Sequence, residues 1–371
     1  MTTPVLPPWK DPVHLPPRPA EGEYGYLDEN DQPVAVDREK FFAVCAGANP
    51  PWYVWTPETS TCVPPTEVRE LEPITSAREK QAALGLLRKG GVATLIGGAI
   101  LFTLGDSGNA LVVLILTLLF GVFPLLYGVF LFRRNQTADA ADDRAKEARL
   151  EYWMEDQYAG ITYALIGLLA MVFVGQMLAG LPASISQIGT STETVRDGDW
   201  WRLLTAILAH GHIPHLIVNG YAIFYLGQRL EVLAGRERLL AVFLLAGLCG
   251  TVASYLLNDP QTFSVGASGG ICGLLGFLFV LYARNRAHLS RSFSWPLILG
   301  SISLIGLGVV IPNIDNAGHV GGFIGGLVLG ALLAPSLGQP NPPSPTLRAG
   351  GMASAAILLI GAAGALFALF T

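Results

Sequence analysis

The sequence predicts an all-α polytopic membrane protein with a small soluble region at its N-terminus. Three observations predict it. Of 371 residues, 51% are hydrophobic and only 14% charged, whereas soluble domains carry about a quarter charged residues. Most charges lie before Arg88 or between Arg133 and Asp156, and long stretches elsewhere have none. Apolar segments of bilayer length then recur through the rest of the chain.

Taken in order, residues 1–75 read as soluble. The opening MTTPVLPPWKDPVHLPPRPAEGEYGYLDEN has no apolar run behind a basic start and so is not a cleavable signal peptide. Proline-rich ends flank two patterned pieces, EYGYLDENDQPVAVDREKFFAV and PPWYVWTPETSTCVPP. Their alternation and turn residues suggest a mainly β module or an ordered tail, and a linker with aromatic anchors fits equally well. This region is a candidate platform for a cytoplasmic partner. Residues 76–154 hold two apolar segments, near 91–105 and 109–132, and a charged linker. Six more, near 159–180, 203–227, 239–257, 268–283, 295–311 and 317–334, fill the interval 155–335, and a last one at 351–370 closes a linker-plus-helix region over 336–371.

Basic residues orient these nine helices. Arg78, Lys80, Arg88 and Lys89 precede the first. Arg133, Arg134, Arg144, Lys146 and Arg149 separate the second from the third. Arg229, Arg236 and Arg238 follow the fourth, and Arg284, Arg286 and Arg291 follow the sixth, whereas GDSGN, NDPQTF and PNIDNAG carry no Lys or Arg. The expected N-terminus is therefore cytoplasmic and the C-terminus outside. No transit segment is visible, so the expected location is a bacterial plasma membrane, with lipids as constant neighbours.

The net charge of −5 and the lack of a basic stripe exclude a nucleic-acid partner. Cys45, Cys62, Cys249 and Cys272 form no CxxC, which disfavours a zinc ribbon or redox motif. Cys45 and Cys62 are close enough in sequence to pair, but the topology puts them in the cytosol, where disulfides rarely persist.

With this orientation, Ser268, His319 and the stretch from His210 to Asn219 all lie toward the outer face. Polar groups at membrane depth face the bundle interior or water. Ser268, in GASGG, opens an apolar helix where unsatisfied backbone N–H groups favour negative charge. That suits a nucleophile whose attack creates an oxyanion, although taken alone the stretch reads better as an N-cap serine among packing glycines. His319, in NAGHVGGFIGG, also opens a helix and supplies the base a serine needs. Gly318, Gly322, Gly326 and Gly330 make one ridge, and Gly269, Gly273 and Gly276 a matching one. If the ridges meet, the serine and histidine lie side by side. His215 and Asn219, four apart, share one helix face and could donate to an oxyanion.

A metal held by His210, His212 and His215 is the weaker reading: there is no HExxH, and Pro214 interrupts the geometry. No cofactor is implied. A GxGD-type aspartyl site fails because TLGD lacks the first glycine and Asp106 sits in a short loop. Asp315, four before His319, leaves an Asp–His–Ser triad open by spacing, but burying a carboxylate is expensive and a dyad is favoured.

These residues together resemble the rhomboid family of intramembrane serine proteases, over roughly 155–335. Trp201–Arg202 stands before HGHIPHLIVN, GASG fits a Gly-x-Ser-Gly pattern, GHVGGFIGG fits a histidine followed by GxxxG, and Glu231 falls at the family's distance after the asparagine. The resemblance implies a six-helix core with two extra N-terminal helices and one extra C-terminal helix. It implies Ser268 as nucleophile, His319 as general base and acid, and His215, Asn219 and the Ser268 N–H as oxyanion hole. His210 would be a polar residue at the mouth of the site. Trp201, Arg202 and Glu231 would fix the first outer loop and the fourth helix, while Gly266, Gly269, Gly322 and Gly326 would permit close packing. Many family members carry an aromatic ring where this chain has Cys272. The implied activity is cleavage of transmembrane proteins near the outer face through an acyl-enzyme. Its rival is a non-catalytic adaptor that grips transmembrane clients for degradation. A transporter is disfavoured, since no inverted repeat and no deep charge is evident.

Overall fold

A computed structural model of the chain describes residues 7–11, 14–20, 22–104, 113–114, 117–310, 314–338 and 342–371. It divides into two compact units. The first comprises Met1–Asp156 and Ala287–Trp295, and the second Gln157–Arg286 and Pro296–Thr371.

The first unit begins with an antiparallel sheet in the order β2-β1-β3, formed by β1 (Tyr24–Leu27), β2 (Pro33–Val36) and β3 (Val54–Trp55). The β1–β2 turn is built by Asp28, whose carboxylate accepts from the N–H groups of Asn30 and Gln32, both at 2.8 Å. The region expected as a mainly β module, an ordered tail or a linker thus holds a three-stranded sheet, with one helix between its second and third strands. Asp37 caps α1 (Arg38–Ala46) by accepting from the Lys40 N–H at 2.7 Å. Phe41 and Cys45, one turn apart, then pack with Val54, Val63, Val68 and Leu71 as a small core. The four cysteines are free thiols.

α2 (Glu72–Leu104) starts well before the apolar segment read at 91–105. Its polar half is helical because Thr75, Glu79 and Ala83 repeat every four residues and are buried. At 1.5 Å per residue its 33 residues span about 50 Å, longer than the roughly 30 Å hydrocarbon core. The second segment, 109–132, lies partly outside the described residues. A π-helical turn, Leu118–Val122, leads into α3 (Phe123–Arg134). The charged linker is largely a helix, α4 (Ala140–Glu155).

Charge pairing binds this unit internally. Glu79 is shared by two buried guanidiniums, with Arg134 Nε at 2.7 Å and Arg144 Nη1 at 2.7 Å. Arg134 also reaches Glu147 and Ser292, and Arg144 reaches Glu72. The segment Ala287–Trp295 joins through the Arg291 N–H, which donates to Asp143 at 2.8 Å, and through Trp295 stacked on Phe130. Removing one partner of a buried pair strands the other charge. Glu79→Leu is therefore expected to destabilise this unit by about 3 kcal/mol, measured as a lower denaturation midpoint in detergent; an unchanged midpoint would show the cluster to be energetically idle.

The second unit holds α5 (Gly160–Ala179), α6 (Leu181–Ile188), α7 (Thr192–Arg196), α8 (Arg202–Leu208), α9 (Ile213–Ala234), α10 (Arg236–Leu257) and α11 (Ser268–Asn285). It continues with α12 (Arg291–Val310, of which the part from Pro296 on belongs here), α13 (Asn316–Leu333) and α14 (Pro345–Phe370). The single span read at 203–227 is corrected to two helices. Ala209 ends α8 in extended backbone, and His212, at φ −165°, precedes α9. Pro214 lacks the N–H a continuous helix needs but suits a first turn. Among the described residues, α2 with its lead-in from Arg69, and α5, α10, α11, α13 and α14, are long and apolar enough to cross a membrane. α9 and α12, at 22 and 20 residues, have the length of a span.

α10, α11 and α13 form the heart of this unit, and glycine sets their separation. A Cβ at Gly322 would lie 2.0 Å from the Gly269 carbonyl oxygen, and one at Gly326 2.0 Å from that of Gly273. On the neighbouring face, a Cβ at Gly273 would lie 2.1 Å from that of Ala246. Backbone therefore touches backbone along α11 and α13. α14 lies against α5, α8 and α10, with Gly361 over Leu204 and Gly351 over Glu237.

Candidate active site

The two glycine ridges bring the first residue of α11 to the first turn of α13. There His319 Nε2 lies 2.8 Å from Ser268 Oγ, within hydrogen-bond distance. Ala267, preceding Ser268, supplies no side-chain cap, and the Ile271 N–H donates to the Ala267 carbonyl as the helix begins. The N–H groups of Ser268, Gly269 and Gly270 thus stand at a helix N-terminus, where no intrahelical acceptor exists and the dipole favours an anion.

Gly266 delivers the chain to this point. Its φ of +134° disfavours any side chain, and a Cβ there would sit 2.8 Å from His215 Cε1 and 3.6 Å from Asn219 Nδ2. The His215 ring and the Asn219 amide therefore approach the backbone two residues before Ser268. Asn219 is buried and its Nδ2 lies 3.0 Å from His210 Nε2. One amide N–H faces His210, which leaves the second for another acceptor.

The three neighbouring histidines have different surroundings. His210 is fully buried and partners Asn219. His212 caps α9, its Nδ1 accepting from the His215 N–H at 3.0 Å. Among the described residues, no group of three His, Cys, Asp or Glu side chains is arranged to hold a metal ion.

The structural charges sit on backbone. Arg202 donates to Ser186 O at 2.5 Å and Gly189 O at 3.3 Å and pairs with Asp199 at 2.8 Å, which ties together the loop after α5. Trp201 donates to the same aspartate and lies under the Arg202 guanidinium. Glu231 accepts from the N–H groups of Ile161 and Thr162, at 3.0 and 2.8 Å, and from the Thr162 hydroxyl at 2.7 Å. It thereby caps α5 and ties it to α9. Cys272 is buried one turn into α11.

Two participants escaped the sequence reading. Gln176 is fully buried on α5 and grips the backbone of His210 at both ends: Oε1 accepts from its N–H at 2.9 Å and Nε2 donates to its carbonyl at 3.2 Å. A lone amide within MVFVGQMLAG was the available signal. The second is Asp315, weighed above only as a third catalytic member. Its carboxylate accepts from the hydroxyls of Ser254 and Ser264, from Asn258 Nδ2 at 2.9 Å and from the Gly318 N–H at 2.8 Å. Burial works against its charge, but these four donors outweigh burial and hold the carboxyl below its ordinary range.

Residues 197–336 match the family model described as a rhomboid domain. Over 139 residues, 38% of this chain, the sequence is 40% identical to rhomboid protease GluP of Bacillus subtilis, covering 27% of that protein. It is 36% identical over 152 residues to RHOMBOID-like protein 5 of Arabidopsis thaliana, covering 40% of this chain and 49% of that protein. It is 32% identical over 171 residues to the rhomboid-named YdcA of Bacillus subtilis, covering 44% of this chain and 85% of that one. The chain thus spans half or less of the length of the first two relatives. It belongs to the rhomboid family, and it is a multi-pass integral membrane protein.

Proposed function

We propose that this chain is an intramembrane serine protease that cuts transmembrane proteins near the outer face of the membrane. The observation that carries this reading is the 2.8 Å approach of His319 Nε2 to Ser268 Oγ at the starts of two glycine-packed helices. His319 removes the Ser268 hydroxyl proton as the oxygen attacks a substrate carbonyl carbon. The resulting oxyanion is met by the Ser268 N–H, the Asn219 amide and the His215 ring. When the C–N bond breaks, the imidazolium returns its proton to the leaving amine, and Ser268 carries the acyl group as an ester. Water then gives a proton to His319, attacks the ester and releases the carboxylic acid, returning the proton to Ser268. A substrate helix keeps its carbonyls bonded, so it must unwind locally. Single-pass proteins with small or helix-breaking residues at the cut are the substrate class this favours. The charge pattern of the loops supports an outward-facing site, with the N-terminus in the cytoplasm.

The direct test is a fluorophosphonate probe applied to the full chain in detergent, with the modified peptide sequenced. Modification at Ser268 is expected, and its absence from active protein counts against the assignment. Asn219→Ala removes one oxyanion donor and is expected to lower kcat by about 100- to 1000-fold, with substrate affinity little changed. Wild-type kcat in that variant removes Asn219 from the site.

A further inference from the structure

Close packing of α11 and α13 determines how near their axes lie, but it leaves two other quantities open. One is the slide of one helix along the other. The other is the path of the loop that leads into Ser268. Both are constrained at one carboxylate. Asp315 is the cap residue of α13 and accepts from the Gly318 N–H, one residue before His319. The same carboxylate accepts from the hydroxyl of Ser264, four residues before Ser268. It also accepts from Ser254 and Asn258 at the end of α10. Ser264 is fixed on its other side as well, since its backbone exchanges hydrogen bonds with Thr190 at 2.7 and 3.1 Å. An ionised carboxylate is an acceptor only, with about four lone-pair sites. Here four donors from three chain segments fill them, and two of those segments carry the reacting residues.

We propose that Asp315 is a positioning residue for the reacting pair: by binding Ser264 and the Gly318 N–H through one carboxylate, it sets Ser268 and His319 in register. The proposal rests on the reading of those two residues as nucleophile and base. It gives Asp315 a role through hydrogen-bond geometry, not through its charge. An asparagine can keep all four bonds, because its oxygen accepts from Asn258 and Gly318 while its NH₂ donates to the two serine hydroxyls, which then act as acceptors. Alanine keeps none.

The test compares Asp315→Ala and Asp315→Asn in the full chain, measuring kcat and KM on a transmembrane substrate and the rate of fluorophosphonate labelling across pH. A displacement of about 1 Å between reacting groups costs about 100-fold. Asp315→Ala is expected to lose about that factor in both kcat and labelling rate, with KM essentially unchanged. Asp315→Asn is expected to recover at least about tenfold of the loss, with the pH profile of labelling unmoved. Wild-type labelling by Asp315→Ala overturns the proposal. So does an Asp315→Asn variant as slow as alanine, or one with a displaced pH profile, either of which would mean that the charge itself acts. If Asp315→Ala does not fold, Ser264→Ala carries the test: a loss of about tenfold in kcat is expected, and an unchanged kcat overturns it. Ser268→Ala separates the two levels. Cleavage by that variant sinks the reading of Ser268 as nucleophile, on which the proposal rests, whereas a silent Ser268→Ala beside a fully active Asp315→Ala sinks only the role of Asp315.

Discussion

Ser268→Ala is expected to abolish both cleavage of a transmembrane test substrate and fluorophosphonate labelling, while the chain folds and unfolds as wild type does. The chemistry and the packing predict these two halves separately. Removing the nucleophile of a serine hydrolase costs about a millionfold, because no neighbouring group can form the acyl bond. Stability responds to a smaller loss, the single hydrogen bond between Ser268 Oγ and His319, worth about 1 kcal/mol at a half-open site. The side chain lies at the start of α11, and the helix interface below it is made by glycine backbone, which the substitution leaves untouched. Residual turnover by Ser268→Ala would refute the nucleophile assignment. A collapsed midpoint would mean instead that the hydroxyl has a structural role that its one bond does not explain.

The second large effect is expected at a residue with no reactive group. Gly322→Ala places a methyl 2.0 Å from the Gly269 carbonyl oxygen and 2.7 Å from its carbon. Both atoms are backbone and cannot rotate away. Ordinary contact needs more than a further 1 Å, so α11 and α13 must separate by about that much or distort. Overpacking of this kind costs about 1–3 kcal/mol. The larger consequence is catalytic, since Gly322 lies one turn below His319 and Gly269 is adjacent to Ser268. Widening the contact draws the imidazole from the hydroxyl, and about 100-fold in labelling rate is at stake. Gly167→Ala on α5 is the control. A Cβ there meets nothing within 4 Å, and alanine favours a helix, so activity is expected to hold. Equal labelling rates in the Gly322 and Gly167 variants would mean that glycine packing does not hold the pair together.

Much of this was legible in the linear chain because membranes and helices impose strong periodic rules. The apolar segments over 159–180, 239–257, 268–283, 317–334 and 351–370 correspond to α5, α10, α11, α13 and α14, with ends shifted by a few residues. Glycines at intervals of four announced the α11–α13 contact. The failures share a cause. The polar half of α2 and the charged helix α4 offered no hydropathy signal. Their helicity depends on burying Glu79, Arg134 and Arg144 against one another, a pairing across as many as 65 residues. The break at 209–212 was hidden because the apolar pattern runs through it, and Pro214 was read as a disturbance of metal geometry instead of a helix start.

The sequence by itself determined the fold class and the family, and it singled out Ser268 and His319 as the pair proposed to react, because apolar length, charge asymmetry and motif spacing are local and survive in one dimension. Tertiary structure alone decided which polar side chains serve those residues. Gln176 grips the backbone of His210, and Asp315 gathers three segments onto one carboxylate. Such roles follow from desolvation. A polar group buried in an apolar bundle must find partners wherever the fold provides them, and sequence distance carries no information about where that will be.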